Sequence, residues 1–363
     1  MKQLKMKQLA IILIVIVMYS CNIKAQDNKS NFITQELLAV SDSISQLMSK
    51  NQYNPNELNT DKYLALEKKV IGLAKTAQTK QEFVKRFNQF WQEGPFSHVA
   101  LSLTEKTANE MAEFLDKMRV GEQGTSLKWI EKTAILTVNT MMGVDTKERV
   151  FEAYREISKN EAKSLIIDLR NNSGGTFAGI PLVSHVLTDS IDAGIFVSRK
   201  WWENNKKEPK LEDVQDLTPW QGWSLMSFWA DIQEVPLTRI QFKPMRPHFD
   251  GPVYVLISNK SASATEFTVD AFAHEEKVTI LGESTAGEML SQKMFDLPHG
   301  FQLSLPIAEY YSTRIGRIEG KGVKPDIAID QRVAMDLAIS LINGAKLEDA
   351  LEEAKQKVDK MND

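Results

Sequence analysis

VYVLISNKSASATEF, residues 253–267, is the stretch from which the fold can be read. Its first five residues form an unbroken apolar run, as a strand covered on both faces requires. SNKSASATEF (258–267) follows, with four hydroxyl residues in ten positions and the small Ala262 and Ala264 between them. TEFTVDAFAH (265–274) then continues at helical spacing. A strand that passes through a polar turn into a helix is the repeating unit of an α/β domain. A serine at such a turn has its oxygen at the sheet edge, close to the free amides of a helix N-terminus. The same string also reads as a helix cap, with Glu266 as the acid of a capping box.

The texture around this unit agrees with it. AILTVNTM (134–141), SLIIDLR (164–170), VTILGES (278–284) and QLSLPIAEYY (302–311) are β-rich runs, and helical stretches at 146–159, 177–188 and 263–275 alternate with them. An α/β domain over residues 96–335 with a largely buried sheet is expected. Ahead of it, after a polar tether at 26–33, apolar positions from about Phe32 to Trp91 recur three and four apart, broken by NQYNPNELN (51–59), which predicts a small helical domain over residues 26–95 in which Asn56 or Asn59 caps the second helix. Residues 336–363 predict a surface helical tail. An insertion at 197–249 holds five of the seven tryptophans, Trp201, Trp202, Trp220, Trp223 and Trp229. Such a cluster suits a substrate-binding wall or a locally packed core.

A serine nucleophile needs a base to take its proton and donors to hold the oxyanion. Of the five histidines, His98 in EGPFSHVAL follows a Gly-Pro turn and opens a strand, a loop-edge position that suits a base. Ser97 beside it could orient the imidazole or cap the turn. LIIDLRNNSGG (165–175) runs a buried strand into a glycine turn that could offer a backbone N–H to an oxyanion, or be a plain tight turn. No pair of histidines has metal-ligand spacing, and no glycine-rich loop leads into Lys-Ser or Lys-Thr, so neither a metal nor a cofactor is expected. The net charge of −4 gives no general attraction to nucleic acid or anionic lipid.

LIIDLRNNSGG, SNKSASATEF, ILGESTAGE (280–288) and GRIEGKGVKPDI (316–327), in this order, resemble the C-terminal processing (tail-specific) protease family of serine peptidases. The resemblance covers roughly residues 127–330 and implies a crotonase/Clp-like ββα core behind a helical N-terminal domain. In the family's serine-lysine branch the lysine closes a GxxTxGK stretch, and that position is Glu288 here. Lys293 stands five residues further on, out of register, and there is too little chain between His98 and AILTVN for that branch's PDZ domain. The resemblance therefore points to the histidine branch of tricorn-type and retinoid-binding-protein-like members. It implies Ser263 as nucleophile, His98 as general base, Glu319 as orienting acid and Ser97 as a fourth member. Glu288 is the alternative acid, and Ala264 with Gly174 or Gly175 would supply the oxyanion hole.

Lys2, Lys5 and Lys7 precede the apolar run LAIILIVIVM, and YSCNIKAQ follows, the pattern of an export signal over residues 1–25. Cutting after Ala25 would release a soluble secreted chain, whereas lipidation of Cys21, the sole cysteine, would anchor it to a membrane. The function expected is an exported serine peptidase acting on peptide or protein substrates through an acyl-enzyme, with activity rising through the imidazole range of about pH 6 to 7. An ester hydrolase would share the chemistry, and a non-catalytic binding protein would share the fold.

Overall fold

The computed structural model describes residues 31–362, so the export segment and Cys21 lie outside the described residues. The chain opens with α1 (31–51), α2 (Asp61–Thr76) and α3 (Lys80–Trp91). Leu37, Val40, Ile44 and Met48 of α1 and Tyr63, Leu66, Val70 and Leu73 of α2 are buried at the spacing that puts them on one helical face. The cap of α2 is Thr60, whose hydroxyl accepts from the Tyr63 amide, and not Asn56 or Asn59. Asn54 caps the single 3-10 turn before it.

Next come β1 (Ala100–Leu103), α4 (Ala108–Lys117), β2 (Thr125–Ile130), β3 (Thr133–Val138) and α5 (Val144–Lys159), the last three forming a ββα unit. They are followed by β4 (Ser164–Asp168), α6 (Gly179–Ser184), β5 (Ile191–Ser198), α7 (Arg199–Asn204), α8 (Leu225–Glu234) and β6 (Leu237–Phe242). The stretch quoted first is β7 (Val253–Ile257) running into α9 (Ala264–Phe272). The chain ends with β8 (Val278–Gly282), β9 (Leu290–Asp296), β10 (Phe301–Ser312), β11 (Gly316–Arg317), β12 (Ile327–Ala328), α10 (Ala334–Ile342) and α11 (Leu347–Asn362).

Two sheets hold the site between them. One runs β12-β8-β7-β4-β3-β2, parallel except for β2, and the other runs β1-β10-β5-β6 with β9 and β11 also on β10. The α/β class expected from the sequence holds, with the helical region at its N-terminal side. Every residue of α9 is buried in the main core. Pro306 sits inside β10, where the register with β9 shifts between Pro306 and Ala308. A bulge tolerates a residue that has no N–H to give to the ladder.

Three details differ from the sequence expectation. The helix expected at 177–188 is only 179–184. The 197–249 insertion is partly sheet, since β6 pairs with β5. The C-terminal helices are more than a surface tail: Leu337, Ala338 and Ala350 pack on Ile166, Leu256 and Leu281 and cover the outer face of the parallel sheet.

Candidate active site

Ser263 occupies the turn between β7 and α9 with φ 55° and ψ −123°, a backbone region that residues with a Cβ seldom adopt. Several contacts hold it there. Its N–H lies 3.0 Å from the Glu288 carbonyl oxygen and 3.1 Å from Glu266 Oε2. Glu266 is fully buried and also accepts from Thr285 Oγ1 (2.5 Å), Gly287 N (2.8 Å) and Glu288 N (2.7 Å), which ties the serine turn to the loop at 285–288. Burial raises the Glu266 pKa, and these donors oppose that rise. Glu266 thus acts as the acid of the expected capping box, and the Ser263 hydroxyl lies 3.2 Å from His98 Nε2.

His98 lies two residues before β1 and also has a positive φ, 62°. Its Nδ1 is 2.6 Å from Ser97 Oγ, and Ser97 Oγ donates to Glu319 Oε2 at 3.1 Å. Glu319 also accepts from Ser97 N (2.9 Å) and Met289 N (2.7 Å). The donor directions follow from the carboxylate, which only accepts. Ser97 gives its proton to Glu319, so it accepts from Nδ1–H of His98, and Nε2 is left bare toward Ser263. Burial pushes the His98 pKa down to about 4, so the imidazole is neutral at ordinary pH. Burial raises Glu319, and the Ser97 and Met289 donors with Arg317 hold it back.

The structure thus brings Ser263, His98, Ser97 and Glu319 into one hydrogen-bonded line. It differs from a three-membered arrangement in that Glu319 reaches the imidazole only through Ser97. The Glu288 side chain is exposed and makes no hydrogen bond to His98 or Ser97 among the described residues. Lys293 Nζ, lowered in pKa by burial, donates to Gln233 Oε1 at 2.9 Å.

The glycine turn abuts the serine: a Cβ on Gly174 would come within 2.8 Å of Ser263 Cβ and 2.9 Å of Ala264 N. Its φ of +95° likewise demands glycine. The amide of Gly174 is already given to Asn172 Oδ1 (2.9 Å), and Asn172 Nδ2 donates to Val138 O (2.9 Å). The amides of Gly175 and Ala264 have no acceptor among the described residues, so of the two glycines Gly175 is the one with a donor to offer.

Beside Ser263 opens a cavity of about 390 Å³, lined on one side by Gly174, Gly175 and Ala264 and on the other by Leu225, Phe228 and Trp229 of α8. Met142, Phe177, Phe196, Phe267, Met289 and Met294 complete an apolar wall. The five tryptophans part company here. Trp229 lines the cavity, and Trp220 backs it by packing on Phe177 (centroids 4.7 Å) and Phe228 (4.9 Å). Trp223 stands in a smaller neighbouring hollow under Lys147. Trp201 and Trp202 pack on Ile195, Val197 and Leu237, away from the cavity. No group of three or more His, Cys, Asp or Glu side chains among the described residues is placed to hold a metal ion.

Sequence reasoning missed the brace role of Asn172, although it stands in the quoted glycine turn, and it saw Glu266 only as a cap. The phenylalanine wall carried no local signal, because Phe177, Phe196, Phe228 and Phe267 come from four separate segments.

Comparison with known proteins follows the same lines. A family model described as peptidase family S41 matches residues 132–329. A carboxyl-terminal-processing protease of Picosynechococcus sp. is 25% identical over 201 residues, 55% of this chain and 40% of that protein. One of the same name from Synechocystis sp. is 27% identical over 184 residues, 51% of this chain and 35% of that protein. The chain thus spans less than half the length of these curated relatives. Among solved structures, a putative peptidase from Parabacteroides merdae superposes with a TM-score of 0.56 at 17% identity, covering 85% of this chain and 95% of that one. A lipoprotein from Streptococcus agalactiae gives 0.52 at 16%, covering 86% and 97%.

Proposed function

The chain belongs to peptidase family S41, and on that premise we propose that it is a serine peptidase that cleaves peptide bonds through an acyl-enzyme on Ser263. The observation that carries this reading is the 3.2 Å contact between Ser263 Oγ and a bare His98 Nε2. As Ser263 Oγ attacks the scissile carbonyl carbon, its proton passes to Nε2. The imidazolium so formed is balanced by Glu319 through Ser97, which keeps Nδ1 as a donor. The amides of Ala264 and Gly175 receive the oxyanion. His98 then returns the proton to the leaving amine, and a water deprotonated by the same nitrogen releases the acid product and frees Ser263.

The substrate is a peptide or protein that places an apolar side chain in the cavity walled by Phe228, Trp229 and Met294. Export rests on the residues before 26, where lysines precede an apolar run, with a lipid anchor on Cys21 as the membrane-bound form. Among the described residues no helix is long and apolar enough to cross a membrane.

The test is reaction with a fluorophosphonate followed by mass mapping of the adduct, expected on Ser263. An adduct on Ser261 would overturn the assignment. That outcome is disfavoured because Ser261 Oγ is buried, donates to Leu169 O and accepts from Ser258 N.

A further inference from the structure

Arg317 stands two residues before Glu319 and takes no part in the steps above. It forms an ion pair with Glu309 of β10, a carboxylate only 1% exposed that also accepts from Tyr311 Oη at 3.2 Å. Its Nη2 reaches on to Glu57 Oε1 (3.4 Å) and Tyr53 Oη (3.5 Å), both from the segment that joins α1 to α2. Tyr53 is fully buried, and its N–H donates to Pro306 O at 3.1 Å. Its ring meets Phe96 edge-on at 6.1 Å between centroids. Phe96 directly precedes Ser97 and His98, and is itself packed on Trp91 (5.2 Å) and Tyr63 (6.4 Å). One tyrosine of the helical region therefore touches the base-bearing segment with its ring and the acid-bearing segment with its hydroxyl.

We propose that Arg317 is a positioning residue that pins the 317–319 segment to β10 and so keeps Glu319 in line with Ser97 and His98, and that the N-terminal helical region holds it in place through Tyr53 and Glu57. This rests on the serine peptidase reading above. Glu309 is buried, and a buried charge is tolerated only where it is paired and hydrogen-bonded, which fixes the Arg317 guanidinium against β10. The partners of Arg317 are Glu309, Glu57 and Tyr53, and those of Glu319 are Ser97 and Met289. Burial raises both carboxyl pKa values, Glu309 to about 7, and Arg317 opposes the rise in each. Without Arg317 the 317–319 segment loses its anchors on Glu309, Glu57 and Tyr53, and Glu319 no longer holds Ser97 in line with the imidazole.

Arg317→Met alone would strand Glu309, so the informative variant is the double Arg317→Met, Glu309→Gln in the full chain. Its partners are Arg317→Lys, which keeps the charge, and Tyr53→Phe, which keeps the ring on Phe96. Each is assayed for kcat and KM on an apolar fluorogenic peptide, alongside its melting temperature and fluorophosphonate labelling. The double variant should lose about 10- to 100-fold in kcat with KM changed less than about threefold. Arg317→Lys should recover part of kcat, and Tyr53→Phe should show a smaller loss of the same kind. A folded double variant with the parent's kcat overturns the role. If the double variant does not fold, a Tyr53→Phe variant with unchanged kcat overturns it equally. A parent chain that neither labels nor turns over overturns both this role and the peptidase reading, whereas a parent that does both leaves the variants to judge the role alone.

Discussion

His98 has no carboxylate against its ring, only a serine hydroxyl on each nitrogen, and that arrangement fixes its titration. Burial without a facing charge pushes it down to about 4, where ordinary imidazoles titrate near 6.5. The free base is then present above about pH 4, so the acid limb of kcat/KM should fall well below pH 6 and not between 6 and 7 as the residue type alone suggests; a pH–rate profile checks this. Because Glu319 meets Ser97 and not the ring, Ser97→Ala should be nearly as harmful as Glu319→Gln, each lowering kcat by about 10²-fold or more with little change in KM. Glu288→Gln, whose side chain faces solvent, should stay within about twofold. Steady-state kinetics of the three variants separates the relay from the alternative acid, and a crippled Glu288→Gln would reverse the assignment.

Among the elements, α8 and the β7–α9 turn carry most of what distinguishes this site. Trp229 on α8 faces the cavity while Trp202 on α7 is held against Val197 and Leu237. Trp229→Ala should therefore raise KM for an apolar peptide while small-phosphonate labelling of Ser263 persists, and Trp202→Ala should lower the melting temperature with KM unchanged. The β7–α9 turn was legible in sequence because an apolar run, a polar turn and a helical period follow one another without a gap. Ser263, His98, Glu319 and Ser97 were legible as a set only through the family resemblance that the four ordered motifs carry, because no local pattern ties residues 97 and 98 to 263 or 319. Which glycine amide is free was not, because that depends on Asn172 folding its side chain back onto Gly174. The insertion was opaque for a similar reason: aromatic residues at no fixed period do not reveal which sheet face each will meet.

For the molecule as a whole, the helical region is joined to the rest by shared side chains and not by a linker. Leu37, Phe83 and Phe87 form one cluster with Phe301, Leu303 and Leu305 of β10, so a chain beginning at residue 96 would expose that face. Such a fragment should aggregate and fail to label with fluorophosphonate, which size-exclusion chromatography and mass spectrometry would check. The further half of the same strand, Ile307, Ala308 and Tyr310, belongs to the main core around α9. A single twelve-residue strand thus has one end in each of two hydrophobic clusters. Neither cluster can melt without unzipping the ladder that serves the other, so scanning calorimetry should record one endotherm, with calorimetric and van't Hoff enthalpies in agreement, where the helix-then-sheet order of the chain would suggest two.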